Sequence, residues 1–399
     1  MTSRLRRALP AWSALAAVAA AAAAPLATAA PARADSIREQ QQWALDAINV
    51  PEAWQTTRGA GVTVAVLDTG VDEDHPDLAG SVLPGRDFVG MGAGPGDPQW
   101  AAHGTAMAGI IAGHGHGPGG NDGVIGVAPE ARILPVRVLL EDDDPARDRA
   151  RETRGDALAE GIRWAADQGA DVINLSLGDD SESAHHDPEE DAAVRYALNK
   201  GAVVVASAGN GGENGDPVSY PAGYPGVIAV TAVDRTGTPT DFSTERWYAT
   251  VCAPGQDVIV PDPDGNYYTA WGTSSAAAFV SGSVALLLSA YPDLTPAEVT
   301  RLLASTAQNP PEGGRDDAVG SGLVDPAAAL RAAAEGAPGP GPAARPEVPE
   351  YFGPGPTGDS GGSGAGWLAP AAATLGTAFL GVATVLLARL RRPGRRPGP

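Results

Sequence analysis

"GVTVAVLDTG", residues 61–70, is a run of small and β-branched apolar residues that stops at Asp68-Thr69-Gly70. A strand apolar at consecutive positions has both faces buried, as in a parallel sheet covered on both sides; a sheet with one wet face would alternate. Four further runs have the same character: "ARILPVRVL", "ADVINLSLG", "GAVVVASAGN" and "GVIAVTAV". Between and after them, residues 156–168, 189–199, 275–290 and 296–306 carry helical spacing. Thr295 reads as the N-cap of the last, with Pro296 at N1 and Glu298 at N3. The pattern predicts an α/β fold of three layers, a mostly parallel central sheet with helices on both faces.

Asp68 ends its strand where open α/β sheets place their sites, in the crevice beyond the carboxyl ends of the strands. An aspartate there could equally be a simple strand terminator. Three more stretches tip the balance. In "AAHGTAMAGIIAG" (101–113), His103 heads a helix of small residues that can approach the sheet closely. In "WGTSSAAAFVSG" (271–282), Ser274 follows Gly-Thr at the start of another. "VVVASAGNGG" (203–212) puts Asn210 just past a buried strand. Serine is a weak nucleophile alone; it needs an imidazole to take its proton, and the imidazole needs a carboxylate to hold its tautomer. An amide donor can stabilise the oxyanion that forms. The residue types of an acyl-transfer site are therefore all present.

These motifs, Asp-Thr-Gly, His-Gly-Thr, Ala-Gly-Asn and Gly-Thr-Ser in that order, resemble the subtilisin-type serine proteases over roughly residues 61–335. The resemblance implies the subtilisin-like fold, with Asp68 orienting the base, His103 as base, Ser274 as nucleophile and Asn210 as oxyanion donor. It also implies that Ser176, Leu177 and Gly178 in "NLSLG" pair with substrate backbone as an added strand. His103 disfavours the related Ser-Glu-Asp peptidases. Two positions depart from the family pattern: Ala278 stands where proline is usual, and Ser275 where a larger apolar residue is usual. Asp179 replaces a second glycine after "SLG".

The chemistry needs no cofactor. Many subtilases bind calcium; Asp77 and "GGNDGVIGV" (119–127) lie near the regions concerned, but oxygen-rich loops are usually solvated and no calcium site is assigned. His114 and His116 in "GHGHGPGG", and His185-His186, could ligate a metal, yet loop histidines are more often simply solvated, so no metal is assigned. The same default applies to the charged insertions "EDDDPARDRARETRGD" (141–156) and "DDSESAHHDPEED" (179–191). Should the latter rim the cleft, it would favour basic or polar substrate segments.

A net charge of −21 argues against a nucleic-acid partner. Cys252 is the only cysteine, which excludes an intramolecular disulfide and reads as a small buried residue. Arg4, Arg6 and Arg7, an apolar stretch and "ARAD" predict a signal peptide over 1–34, ending at Ala34. Residues 35–60, with "DSIREQQQWALDAINVPEAW", predict an extension that packs along the following domain through Trp43, Leu45, Ile48 and Trp54. The peptidase domain is expected over 61–336 and a Pro/Gly-rich linker over 337–366. Residues 367–388 are uncharged and about 33 Å long as a helix, enough to span a bilayer. Five arginines in 389–399 put that tail on the cytoplasmic side and the bulk of the chain outside the cell membrane.

This arrangement of ends resembles the mycosins, the membrane-anchored subtilases of actinobacterial type VII secretion systems. It implies a polypeptide substrate and type VII secretion membrane components as partners. A second expectation belongs to another class: a structural component of a secretion complex whose protease activity is weak or dispensable.

Overall fold

The structure is a computed structural model and describes residues 36–97, 100–179 and 184–336. The predicted signal peptide, linker, membrane span and basic tail lie outside these residues.

Seven strands form the main sheet. They are β1 (Thr63–Asp68), β2 (Arg86–Asp87), β5 (Arg132–Arg137), β6 (Val172–Leu175), β7 (Val203–Ser207), β8 (Ile228–Val233) and β9 (Ala249–Pro254), in the order β2-β5-β1-β6-β7-β8-β9. Every neighbouring pair is parallel. Two small antiparallel ladders join β3 (His114–His116) to β4 (Asp122–Ile125) and β10 (Val258–Pro261) to β11 (Tyr267–Ala270). The helices are α1 (Ser36–Ala47), α2 (Val50–Ala53), α3 (Ala102–Ala112), α4 (Arg147–Thr153), α5 (Ala157–Asp167), α6 (Pro188–Asn199), α7 (Thr273–Ala290), α8 (Pro296–Ser305) and α9 (Pro326–Ala334).

Alternation along each strand separates two cores. Val64 and Val66 face one cluster with Met107 and Ile111 of α3 and Phe279 of α7. Ala65 and Leu67 face the other, with Ile162 of α5 and Val194 of α6. Because both faces are covered, the strands read as continuous apolar runs. The three-layer prediction holds, and the five strand runs and four helical segments all form. Thr295 makes the expected capping box with Glu298. Strands β2 and β9 and the two small ladders escaped the sequence reading; β2 is the exposed dipeptide Arg86–Asp87, β3 is His-Gly-His, and β9 mixes Thr and Cys among its apolar residues and ends in Pro.

Helix α7 is apolar and long enough to cross a membrane, but 83 % of it is buried inside the fold, so it is a core helix. Ala278 is fully buried within it and the helix runs unbroken from Thr273. Cys252 is buried, and burial pushes its thiol up to about 12, keeping it protonated.

The extension before β1 is more deeply built in than surface packing. Leu45 and Ile48 are fully buried in the α3/α7 core, with Trp43 and Trp54 half-buried against it. Gln41 both donates to Ile125 O and accepts from Ile125 N, and Trp54 Nε1 donates to Val127 O.

Candidate active site

Parallel order brings the ends of β1, β6 and β7 side by side, and the starts of α3 and α7 close over them. Asp68, fully buried at the end of β1, receives His103 Nδ1 at 2.8 and 2.9 Å from its two oxygens. Its Oδ1 also accepts from Thr69 N at 2.7 Å. The imidazole stays 35 % exposed, so the pair has one buried and one accessible partner. This approach depends on Gly104: a Cβ there would lie 1.8 Å from Gly70 O. Any side chain would push α3 off the Asp68-Thr69-Gly70 turn.

Gly272, with φ +137°, turns the chain into α7 and leads directly to Thr273 and Ser274. Ser274 Oγ donates to Ser176 O at 3.0 Å rather than to His103, while Ser176 Oγ donates to Ser274 O at 2.9 Å. The nucleophile candidate is thus tied to the end of β6. Asn210 Oδ1 accepts from Thr273 N at 2.9 Å and Thr273 Oγ1 at 3.0 Å, which defines the donor end of its amide. All four motif residues and the Ser176–Gly178 segment therefore converge. Ser275 points into the core, 1 % exposed.

The electrostatics favour a proton on His103. Burial alone would lower the imidazole, but Asp68, with Glu141 and Asp142 behind it, pushes it up to about 9. Glu141 itself is raised by burial, against hydrogen bonds from Thr69 and His103 N that lower it.

Three contributors are not singled out by the sequence. Asn174 is fully buried in β6; it donates to Ser176 Oγ at 3.0 Å and accepts from Ser281 Oγ at 2.8 Å. A polar residue amid "VINLSL" was the available signal. Thr69 Oγ1 accepts from Gly104 N at 3.1 Å. Glu141 Oε1 accepts from His103 N at 2.9 Å, although it begins an insertion read as solvated.

That reading of residues 141–156 needs correction. Asp144 is 4 % exposed and accepts from Ala93 N and Ala146 N, and Arg154 Nε donates to Phe88 O at 3.0 Å. The second insertion is likewise structural at its end. Asp187 caps α6 and Asp191 is buried against His186 and Arg195. Residues 180–183 lie outside the described set.

The calcium region does not fit that ion. Asp77 is fully buried; His116 Nδ1 lies 2.7 Å from its Oδ1, and its Oδ2 accepts from Val124 N and Tyr267 OH. The carbonyls of Gly123 and Gly120 accept from the Arg38 guanidinium at 3.0 and 3.1 Å. Calcium needs six to eight oxygens at 2.3–2.6 Å, and here a guanidinium sits among the carbonyls. His114 faces the carbonyls of Gly115 and Ala79, and His186 faces Asp191. Among the described residues no group of three or more His, Cys, Asp or Glu could hold a metal.

The peptidase S8 model, described as the Subtilase family, matches residues 59–322. Thermitase of Thermoactinomyces vulgaris is 40 % identical over 255 residues, 64 % of this chain and 85 % of thermitase. Mycosin-1 of Mycobacterium tuberculosis is 38 % identical over 331 residues, 72 % of each chain. The crystal structure of MycP1 from the ESX-1 type VII secretion system superposes with a TM-score of 0.62 at 35 % identity, covering 72 % of this chain and 85 % of that one. A catalytic-type Asp–His pair, a serine at a helix start and matches of this extent agree: the chain belongs to the subtilase family of serine proteases.

Proposed function

We propose that this chain is a membrane-anchored, extracellular serine endopeptidase that processes or supports a type VII secretion system. Ser274 is the nucleophile, His103 the general base and Asp68 its orienting carboxylate. The observation that carries the reading is the buried Asp68 bonded to His103 Nδ1, beside a serine at the N-terminus of α7.

Substrate backbone adds along Ser176, Leu177 and Gly178 as an extra strand. The Ser274 hydroxyl, held at the Ser176 carbonyl, turns about its Cα–Cβ bond so that Nε2 of His103 can take its proton. The oxygen attacks the scissile carbonyl, and Asn210 Nδ2 donates to the oxyanion. His103 then protonates the leaving amine, and water repeats the cycle on the acyl-enzyme. Asp68 stabilises the imidazolium at each passage.

The mycosin relatives support a secretion role, and the apolar segment 367–388 followed by arginines supports a single-pass anchor with the catalytic domain outside and the C-terminus cytoplasmic. Labelling the full-length chain with a fluorophosphonate and mapping the adduct tests the catalytic reading: the adduct is expected on Ser274, and its absence from folded protein overturns it. Comparing Ser274→Ala with deletion of 367–399 tests the role. Full secretion with Ser274→Ala and loss with the truncation would make scaffolding the main function.

A further inference from the structure

Helix α3 carries His103 but lacks the usual means of starting a helix. Its N-cap is Ala101, fully buried, with φ 58° and no side chain able to accept a hydrogen bond. Caps are normally Ser, Thr, Asp or Asn because the first N–H groups of a helix have no partner within it. Here the partners come from elsewhere in the chain. His103 N donates to Glu141 Oε1 at 2.9 Å, from the segment following β5, and Gly104 N donates to Thr69 Oγ1 at 3.1 Å, from the turn following β1. The start of α3 is thus held by two side chains from outside the helix, Glu141 after β5 and Thr69 directly after Asp68.

We propose that Glu141 is a positioning residue of the active site, a helix cap supplied across the fold that holds His103 against Asp68. The proposal rests on the catalytic reading above. Its physical content is twofold. As an acceptor, Glu141 ties the His103 backbone to the sheet end, so the imidazole cannot swing with a frayed first turn. As an anion, it offsets the positive end of the α3 dipole, which would otherwise disfavour the imidazolium that forms during the reaction.

The charged groups acting on His103 are Asp68 on β1 and Glu141 and Asp142 after β5. Glu141 also acts on Tyr268 of β11, whose hydroxyl pKa is raised by burial first, then by Asp262, Glu141 and Asp68. Asp68 contacts the ring directly, so it orients the tautomer. Glu141 contacts only the backbone, so its two effects are separable by substitution.

Glu141→Gln keeps the volume and an acceptor for His103 N but removes the charge. Glu141→Ala removes both. In full-length protein, titration of the His103 ring followed by NMR is expected to move to lower pH by roughly half a unit or more in Glu141→Gln, with kcat above the limb within about threefold of the parent. Glu141→Ala is expected to lose roughly ten- to a hundredfold in kcat with KM little changed, because misplacement of the base acts on the chemical step. An unmoved His103 titration in Glu141→Gln, or an unchanged kcat in folded Glu141→Ala, overturns the proposal. Should Glu141→Ala fail to fold, the Glu141→Gln titration decides alone. That readout needs no turnover, so it is distinct from failure of the parent chain to label at Ser274, which would overturn the catalytic reading instead.

Discussion

Ser176 and Ser274, 98 residues apart, exchange two hydrogen bonds, each hydroxyl donating to the other's carbonyl. The pair joins the end of β6 to the start of α7 and so couples the proposed substrate-pairing segment to the proposed nucleophile. Behind it, Asn174 bridges Ser176 to Ser281, making a buried polar chain that crosses from sheet to helix.

Removing the middle of that chain should be costly. Asn174→Ala leaves Ser176 Oγ and Ser281 Oγ each without a partner they now have, at positions that are all buried. The expected loss is about 2–4 kcal/mol, from one to two buried groups left unsatisfied. Urea unfolding of the full-length chain measures it; a loss under about 0.5 kcal/mol would mean that the chain of bonds contributes little.

The oxyanion role proposed for Asn210 predicts a selective kinetic effect. Asn210→Leu should lower kcat by about 10²–10³ with KM nearly unchanged, a magnitude taken from a subtilisin. Initial rates on a peptide substrate check this. A rise in KM at constant kcat would assign Asn210 to ground-state binding instead.

The pH profile follows from His103. Only the neutral imidazole can accept the Ser274 proton, and Asp68, Glu141 and Asp142 overcome burial to hold the ring's pKa up near 9. The rate constant kcat/KM should therefore rise on an acid limb centred well above the ordinary imidazole value of 6.5. The sign for stability is opposite. The folded pKa exceeds the unfolded one, so the protonated pair stabilises the fold fully below about pH 6.5, and this contribution is lost as pH rises through about 9. Asp68→Asn should move the limb downward while cutting kcat by about 10⁴, and stopped-time assays from pH 5 to 10 would show both.

The Arg38 contacts predict indifference to chelation. Since the guanidinium already satisfies the Gly120 and Gly123 carbonyls, EDTA should leave the thermal midpoint unchanged. Arg38→Ala should lower stability by about 1.5–3 kcal/mol, the range for hydrogen bonds to a charged group. A midpoint that falls with EDTA in the parent chain would refute this account.

Much of the fold was open to reading from the chain alone. Parallel strands buried on both faces must be apolar at every position, so "TVAVLD" and "VVVAS" carry their environment in their composition. Likewise, the residue types of the site follow from what acyl transfer demands, and their order along the chain is a one-dimensional fact. What no local pattern could supply were contacts between distant segments. Glu141 sits in an acidic run that looks like any solvated loop, and only the fold brings it under His103 N. Arg38 looks like an exposed helix cation until β4 and the turn before it present their carbonyls to it. Ser274 was identifiable by its motif, yet its hydroxyl rests on Ser176 because two chain segments meet there. Sequence determined the layers and singled out the candidate reacting groups, because burial and chemistry restrict residue type. Tertiary structure decided the caps, the electrostatics around His103 and the resting place of the Ser274 hydroxyl, because these depend on distances between residues that the chain separates.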